Sequence, residues 1–319
     1  MKKLDPKAIL SKGGDSTLLI VLIILSVALF TILEPSFFSM NSFSSIAKQA
    51  PEIGLFTMSM MLPMLVGGID LSIIASANLG SIFMALYMSA NGGSRTSVII
   101  GMLICLLTCV FVGFVNGFIV AQFQIPAMLV TLGTQMALTG IALGITRGET
   151  LSGFPQSFKF LGNGKIIGIP TQFFIFVVAT VFLIILMQKT SFGIKLQMYG
   201  SNKVATQYSG VSEKSLLIKT HMLGGLFVGI AAIIMVSRLS SASAGAAGGY
   251  LMRTILIAVL GGVDPNGGKG KVSEVLLAIL LFQCVATGLN IVRVNSYIVI
   301  ALYGIILLLA VLVRIRRKK

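Results

Sequence analysis

This sequence predicts an all-α integral membrane protein: a helical bundle of about ten transmembrane helices with both termini in the cytoplasm. Three observations carry that expectation. Hydrophobic residue types make up 56% of the 319 residues and charged types only 10%, against about 25% charged in soluble domains. The mean hydropathy is +1.00, and apolar runs of the roughly 20 residues that a membrane helix needs recur along the chain. Basic residues gather beside alternate runs, which sets an orientation.

The expected spans are approximately 17–33, 50–69, 71–90, 97–117, 127–147, 170–187, 216–236, 251–262, 272–290 and 296–313. They form one membrane domain, 17–313, between a tail at 1–16 and a basic tail at 314–319. The first run follows lysines as a secretory signal does, but Leu33-Glu34-Pro35-Ser36-Phe37 offers no small-residue cleavage site, so it reads as an uncleaved span. Only Asp70 separates the second span from the third. The eighth is too short to cross as a straight helix, so a tilted, broken or re-entrant segment is expected there.

With ten spans, 16 of the 24 basic residues fall on one face: those of both tails, of 188–219, and Lys269 and Lys271. Cytoplasmic loops carry the excess of lysine and arginine, so that face is the cytoplasm. Nine spans would divide the two tails and break the agreement. The formal charge of +15 is therefore a lipid-facing feature, and it comes without the arginine and aromatic platform of nucleic-acid binding. Gly113 and Gly117, Gly140 and Gly144, and Gly225 and Gly229 are spaced four apart inside spans, which lets helix backbones approach closely.

Few residues carry chemistry. Cys105 and Cys109 lie one helical turn apart and Cys284 lies in another apolar run; with no acid nearby and His221 alone near the end of a span, they read as small hydrophobes, and no metal or cofactor is expected. Asp70, after Gly67-Gly68-Ile69 and before Leu71-Ser72, stands in an almost continuous apolar stretch. Two readings stand: a carboxylate at a broken helix meeting something polar, or an exposed cap in a short turn. A second Gly-Gly-x-Asp at Gly261-Gly262-Val263-Asp264 opens a loop rich in glycine and proline. That loop is not a phosphate cradle, because the first glycine of the Walker pattern falls on Val263 and Gly270 follows Lys269. In the fifth span Thr131, Thr134, Gln135 and Thr139 fall near one face, and together with Asp70, Ser72 and Asn78 they are the candidate wall of a translocation path. The polar, basic stretch from Gln188 to Ser215 is long enough for short helices and reads either as a docking loop or as a solvated connector.

Several of these segments together resemble the ribose-type permease family of bacterial ABC importers, a family that also takes up simple sugars and autoinducer-2. The residues are Gly67-Gly68-Ile69-Asp70-Leu71-Ser72, Asn116-Gly117, Pro126, Thr131-Leu132-Gly133-Thr134, Gly193, Tyr199-Gly200-Ser201-Asn202, Ser209-Gly210-Val211, and Gly261-Gly262 with Gly267-Gly268-Lys269-Gly270. The resemblance implies a non-enzymatic permease subunit of the bacterial inner membrane. It also implies three partners: a second permease, a cytoplasmic ATP-binding subunit and an extracytoplasmic solute-binding protein. By the same resemblance, Gly193, Tyr199, Gly200, Asn202, Ser209 and Gly210 belong to the surface that faces the ATPase. Three departures concern the solute: Thr139 stands where the family often has arginine, Leu251-Met252-Arg253 where an acid is usual, and Val263-Asp264-Pro265-Asn266 where Gly-Thr-Ser is common. A pentose, a hexose, a nucleoside and autoinducer-2 all fit. The competing class is an ion-coupled secondary transporter of a small polar solute, for which Asp70 is the one mid-membrane acid in reach; no catalytic constellation points to an enzyme.

Overall fold

The computed structural model describes residues 15–318; the expected tail at 1–16 falls outside them except at its last two positions. Helices follow one another with short connections: α1 (Asp15–Leu33), α2 (Met40–Leu65), α3 (Ile73–Ala90), α4 (Arg95–Phe123), α5 (Ala127–Thr146), α6 (Gln156–Asn163), α7 (Thr171–Lys189), α8 (Ser191–Ser201), α9 (Lys203–Tyr208), α10 (Glu213–Leu239), α11 (Tyr250–Leu260), α12 (Val272–Ile291) and α13 (Ser296–Lys318). Among the described residues, α1, α3, α4, α5, α7, α10 and α12 are long and apolar enough to cross a membrane. The other three expected spans correspond to α2, α11 and α13. The backbone of α13 runs on through the expected C-terminal tail to Lys318, whose side-chain surroundings, like those of its neighbours from Arg314, lie outside the described set.

Helix α2 is the axis of the bundle. Residues 50–65 are all buried, and α7, α10, α11 and α12 pack around it. It falls short of span-like hydropathy because Lys48, Gln49 and Glu52 sit in its first half, and it starts ten residues before the expected boundary, where the Ser39 side chain accepts from the Ser42 N–H. Large apolar residues on α1, α4, α5 and α7, such as Ile24, Phe111, Met136 and Val178, point outward. In water such a surface would aggregate; in lipid it is the surface a helical bundle presents.

Two differences from the expected boundaries position the site. The break between the second and third spans is residues 66–72, not Asp70 alone. Helix α11 has 11 residues, about 16 Å at 1.5 Å per residue, roughly half the hydrocarbon core. The chain reaches α11 through an irregular 243–249 segment, so the eighth expected span is a short helix preceded by non-helical chain. On the same face as that segment, β1 (Leu151–Ser152) pairs antiparallel with β4 (Ser241–Ala242), and β2 (Lys165–Ile166) with β3 (Ile169–Pro170). Helix α6 lies over the end of α10, where the Ser237 hydroxyl donates to the Phe158 carbonyl (2.6 Å) and accepts from the Gly162 N–H (2.7 Å).

The α4–α10 seam is the closest helix pair. A side chain at Gly113 would overlap the His221 carbonyl, and one at Gly225 the Cys109 carbonyl; Gly117 and Gly229 are pressed against the same partner helix. Gly140 and Gly144 differ from the expectation, since nothing lies near either. His221 is not peripheral: it is buried in this seam, with Nδ1 2.9 Å from the Leu217 carbonyl oxygen and Nε2 unpartnered. We expect Gly113→Leu and Gly225→Leu each to destabilise the bundle by about 3 kcal/mol, read as a lower thermal midpoint in detergent, while Gly140→Ala leaves it unchanged.

Candidate translocation site and coupling surface

The turn between α2 and α3 is built by polar groups that would otherwise be stranded in an apolar interior. Gly67, at φ 79°, ends α2 in the left-handed conformation that glycine tolerates. Asp70 Oδ1 then accepts from the Ser72 N–H (2.8 Å) and hydroxyl (2.7 Å), so the carboxylate closes the turn that starts α3. Thr131 on α5 accepts from the Leu71 N–H at 3.0 Å. The Asn116 amide donates to the Ser72 hydroxyl (2.8 Å), and the Thr134 hydroxyl donates to Asn116 Oδ1 (2.7 Å). Asp70, Ser72, Asn116 and Thr134 thus form one chain of hydrogen bonds, with Thr131 beside it. Asn116, on α4, was not among the sequence candidates; an amide inside an apolar run was the signal available.

Asn78, Gln135 and Thr139 lie elsewhere. They line a cavity of about 110 Å³ between α3, α5 and the 243–249 segment; Gln135 directly follows Thr134 on α5, while Asn78 and Thr139 lie more than one helical turn from the turn network. The structure therefore divides the seven candidate pathway residues into a turn-closing network and a cavity wall. The Thr139 hydroxyl bonds its own helix at the Gln135 carbonyl (2.8 Å), leaving the Gln135 side chain beside the cavity.

On the basic face, the 188–215 stretch folds as α8 and α9. Gly193 lets α8 turn tightly against the Met187 backbone. The Tyr199 hydroxyl donates to the Glu213 carboxylate, which Gln207 also reaches. Burial, then the bond to Glu213, raises the Tyr199 phenol above its usual range, so it remains a donor. The Asn202 side chain caps α9 by accepting from the Ala205 N–H (2.9 Å), the Ser209 hydroxyl donates to the Ala205 carbonyl (2.9 Å), and Gly210 takes φ 76° in open space.

Gly200 occupies a different position. A methyl group there would overlap both the Leu65 carbonyl oxygen and the Gly268 nitrogen. The Gly268 N–H donates to that same carbonyl at 2.9 Å. Gly267 is equally confined, with a Cβ placed 2.8 Å from the Gly200 carbonyl oxygen and 2.9 Å from the Gly67 nitrogen. The end of α2 and the Gly267-Gly268 pair that follows the second Gly-Gly-x-Asp therefore meet α8 backbone to backbone. The second turn repeats the first locally, since Asp264 Oδ1 accepts from the Asn266 N–H at 3.0 Å as Asp70 does from Ser72.

A buried ion pair was missed by sequence reasoning. Glu52 on α2, 1% exposed, accepts from Arg238 at the end of α10, 26% exposed, at 2.6 and 3.3 Å. Flanked by Pro51 and close to Lys48 and Gln49, Glu52 reads as the edge of a span, and its partner lies 186 positions away.

Residues 42–311 match a family model described as the permease component of a branched-chain amino acid transport system. The chain belongs to this permease family. Similar to the permease are the ribose import permease proteins of Escherichia coli, 31% identical over 92% of each chain, and of Bacillus subtilis, 30% identical over 100% of this chain and 96% of that one. So is the autoinducer 2 import system permease protein of an Enterobacter species, 30% identical over 93% of this chain and 92% of that one. No solved structure matches. The permease is a non-enzymatic, multi-pass plasma-membrane subunit that works with an ATP-binding subunit and a substrate-binding protein.

The ion pair yields a direct prediction for the permease. Arg238→Met strands the Glu52 carboxylate and costs about 3 kcal/mol of stability, whereas Arg238→Met combined with Glu52→Gln recovers most of the loss. Thermal denaturation in detergent of the two single variants and the double variant measures this directly.

Proposed function

We propose that the permease carries a sugar or sugar-like solute inward, paired with a second permease subunit, with its termini and α8–α9 on the cytoplasmic face. The ATP-binding subunit docks on the surface that includes Gly193, Tyr199, Gly200, Asn202, Ser209 and Gly210. The solute passes beside α3 and α5, with Asn78, Gln135 and Thr139 facing it and Asp70, Ser72, Thr131 and Thr134 holding the turn beneath. The observation that carries this reading is the Gly200 junction. A helix at the basic face touches, without any intervening side chain, the end of α2 and the loop that leads into α12, so force applied to α8 reaches α2 and α12 directly. Positive charge on the α8–α9 stretch, from Lys189, Lys195, Lys203 and Lys214, supports the cytoplasmic placement.

The solute class rests on the relatives, whose names give ribose and autoinducer 2 as what they import. Energy from a partner's ATP hydrolysis is favoured over ion coupling by the same relatives and by the geometry at Asp70, whose Oδ1 is committed to Ser72. The test is uptake of tritiated D-ribose and of autoinducer-2 into proteoliposomes holding the permease, its ATP-binding subunit and its binding protein. ATP-dependent uptake of one of them, absent when only a proton or sodium gradient is applied, is expected. Gradient-driven uptake by this chain alone would contradict the reading.

A further inference from the structure

Asn78 is 3% exposed and sits on the α3 face that lines the 110 Å³ cavity. Both hydrogens of its amide are used: Nδ2 donates to the carbonyls of Ala244 and Ala246, each at 2.9 Å. Two carbonyl partners fix which end of the amide is nitrogen, and they leave Oδ1 buried with no partner. An unmatched acceptor at that depth is costly unless something donates to it.

The segment that Asn78 holds has no side chain larger than a methyl or a hydroxymethyl, reading Ser243-Ala244-Gly245-Ala246-Ala247-Gly248-Gly249. Ala247 is held at φ 54°, a conformation disfavoured for a residue with a Cβ. Gly245 faces open space. The stretch is strained, carries little side chain, and takes its side-chain hydrogen bonds from one asparagine, Asn78. The cavity beside it, about 110 Å³, is smaller than the roughly 300 Å³ at which small-molecule pockets begin. No charged side chain lines the cavity itself, and Arg253 stands beside Gly249 at the end of the segment.

We propose that the 243–249 segment is a gate latched by Asn78, and that the solute opens it by exchange. A solute hydroxyl donates to Oδ1 while another solute oxygen takes the Nδ2 hydrogens from Ala244 and Ala246. The exchange requires a solute with hydroxyl groups on adjacent carbons. This deepens the proposed function and rests on it for the direction of transport.

The first test needs neither ATP nor a partner subunit. Ala246→Cys, at a half-buried position of ordinary φ whose carbonyl Asn78 holds, is labelled with a membrane-impermeant maleimide from the face opposite the basic loops. Adding Asn78→Leu speeds labelling about tenfold, the factor matching roughly 1.4 kcal/mol, and Asn78→Asp, which also lacks the donors, does the same. Equal labelling rates in all three backgrounds would overturn the latch and leave the permease reading untouched. The second test uses the assembled transporter with tritiated D-ribose. Asn78→Leu lowers the maximal uptake rate at least tenfold, and Asn78→Asp retains more uptake than Asn78→Leu because it keeps the acceptor. Uptake by Asn78→Leu at the unmodified rate would overturn the solute contact.

Discussion

The Leu65 carbonyl, bonded to the Gly268 N–H and covered by Gly200, is the point on which the basic face of the bundle is built. Three stretches of chain more than 60 residues apart converge there as bare backbone. Packed interiors deform by switching between arrangements rather than by yielding continuously, and a contact with no flexible side chain in it has no soft element to absorb a displacement. The α2–α3 turn, the α11–α12 turn and α8 are thereby constrained to move together.

Much of the remaining architecture serves that constraint. Helix α2 is buried along residues 50–65, so its end cannot swing without disturbing the helices around it. The Asp70–Ser72–Asn116–Thr134 chain ties the start of α3 to α4 and α5 with charged and neutral hydrogen bonds in a low-dielectric interior, where a satisfied network rigidifies and an unsatisfied one is expensive. At the opposite end the design changes character. The 243–249 segment is strained, almost bare of side chains and held by one asparagine. A stiff half at the basic face and a loosely held opposite half suit the proposed permease, which receives force on one face and admits solute from the other.

Seven of the ten expected spans were legible because hydropathy reports them directly among the described residues, and the shortness of α11 was legible from its run length. The start of α2 was not, since Ser42, Asn41 and Lys48 look like a loop when read without the cap at Ser39. The four polar residues of α5 fall near one face, as their spacing implied, but meet different partners: Thr131 and Thr134 reach the turn, while Gln135, the residue after Thr134, and Thr139 line the cavity. Periodicity gives direction around a helix and carries no information on what stands opposite. The same limit hid the Glu52–Arg238 pair and the Gly200 junction, both of which exist only through long-range packing. Glycine spacing was informative where a partner helix was present, at Gly113 and Gly225, and empty at Gly140.

The most direct measurement of the central claim is a distance across the junction during turnover. Spin labels at Val204 on α9 and at Lys269 in the α11–α12 turn, both exposed, report whether the two elements move as one body. Pulsed dipolar spectroscopy on the assembled transporter should give the same distance without nucleotide and with ATP bound. A shift of several ångströms between those states would show that α8 slides past the turn, and would contradict the account.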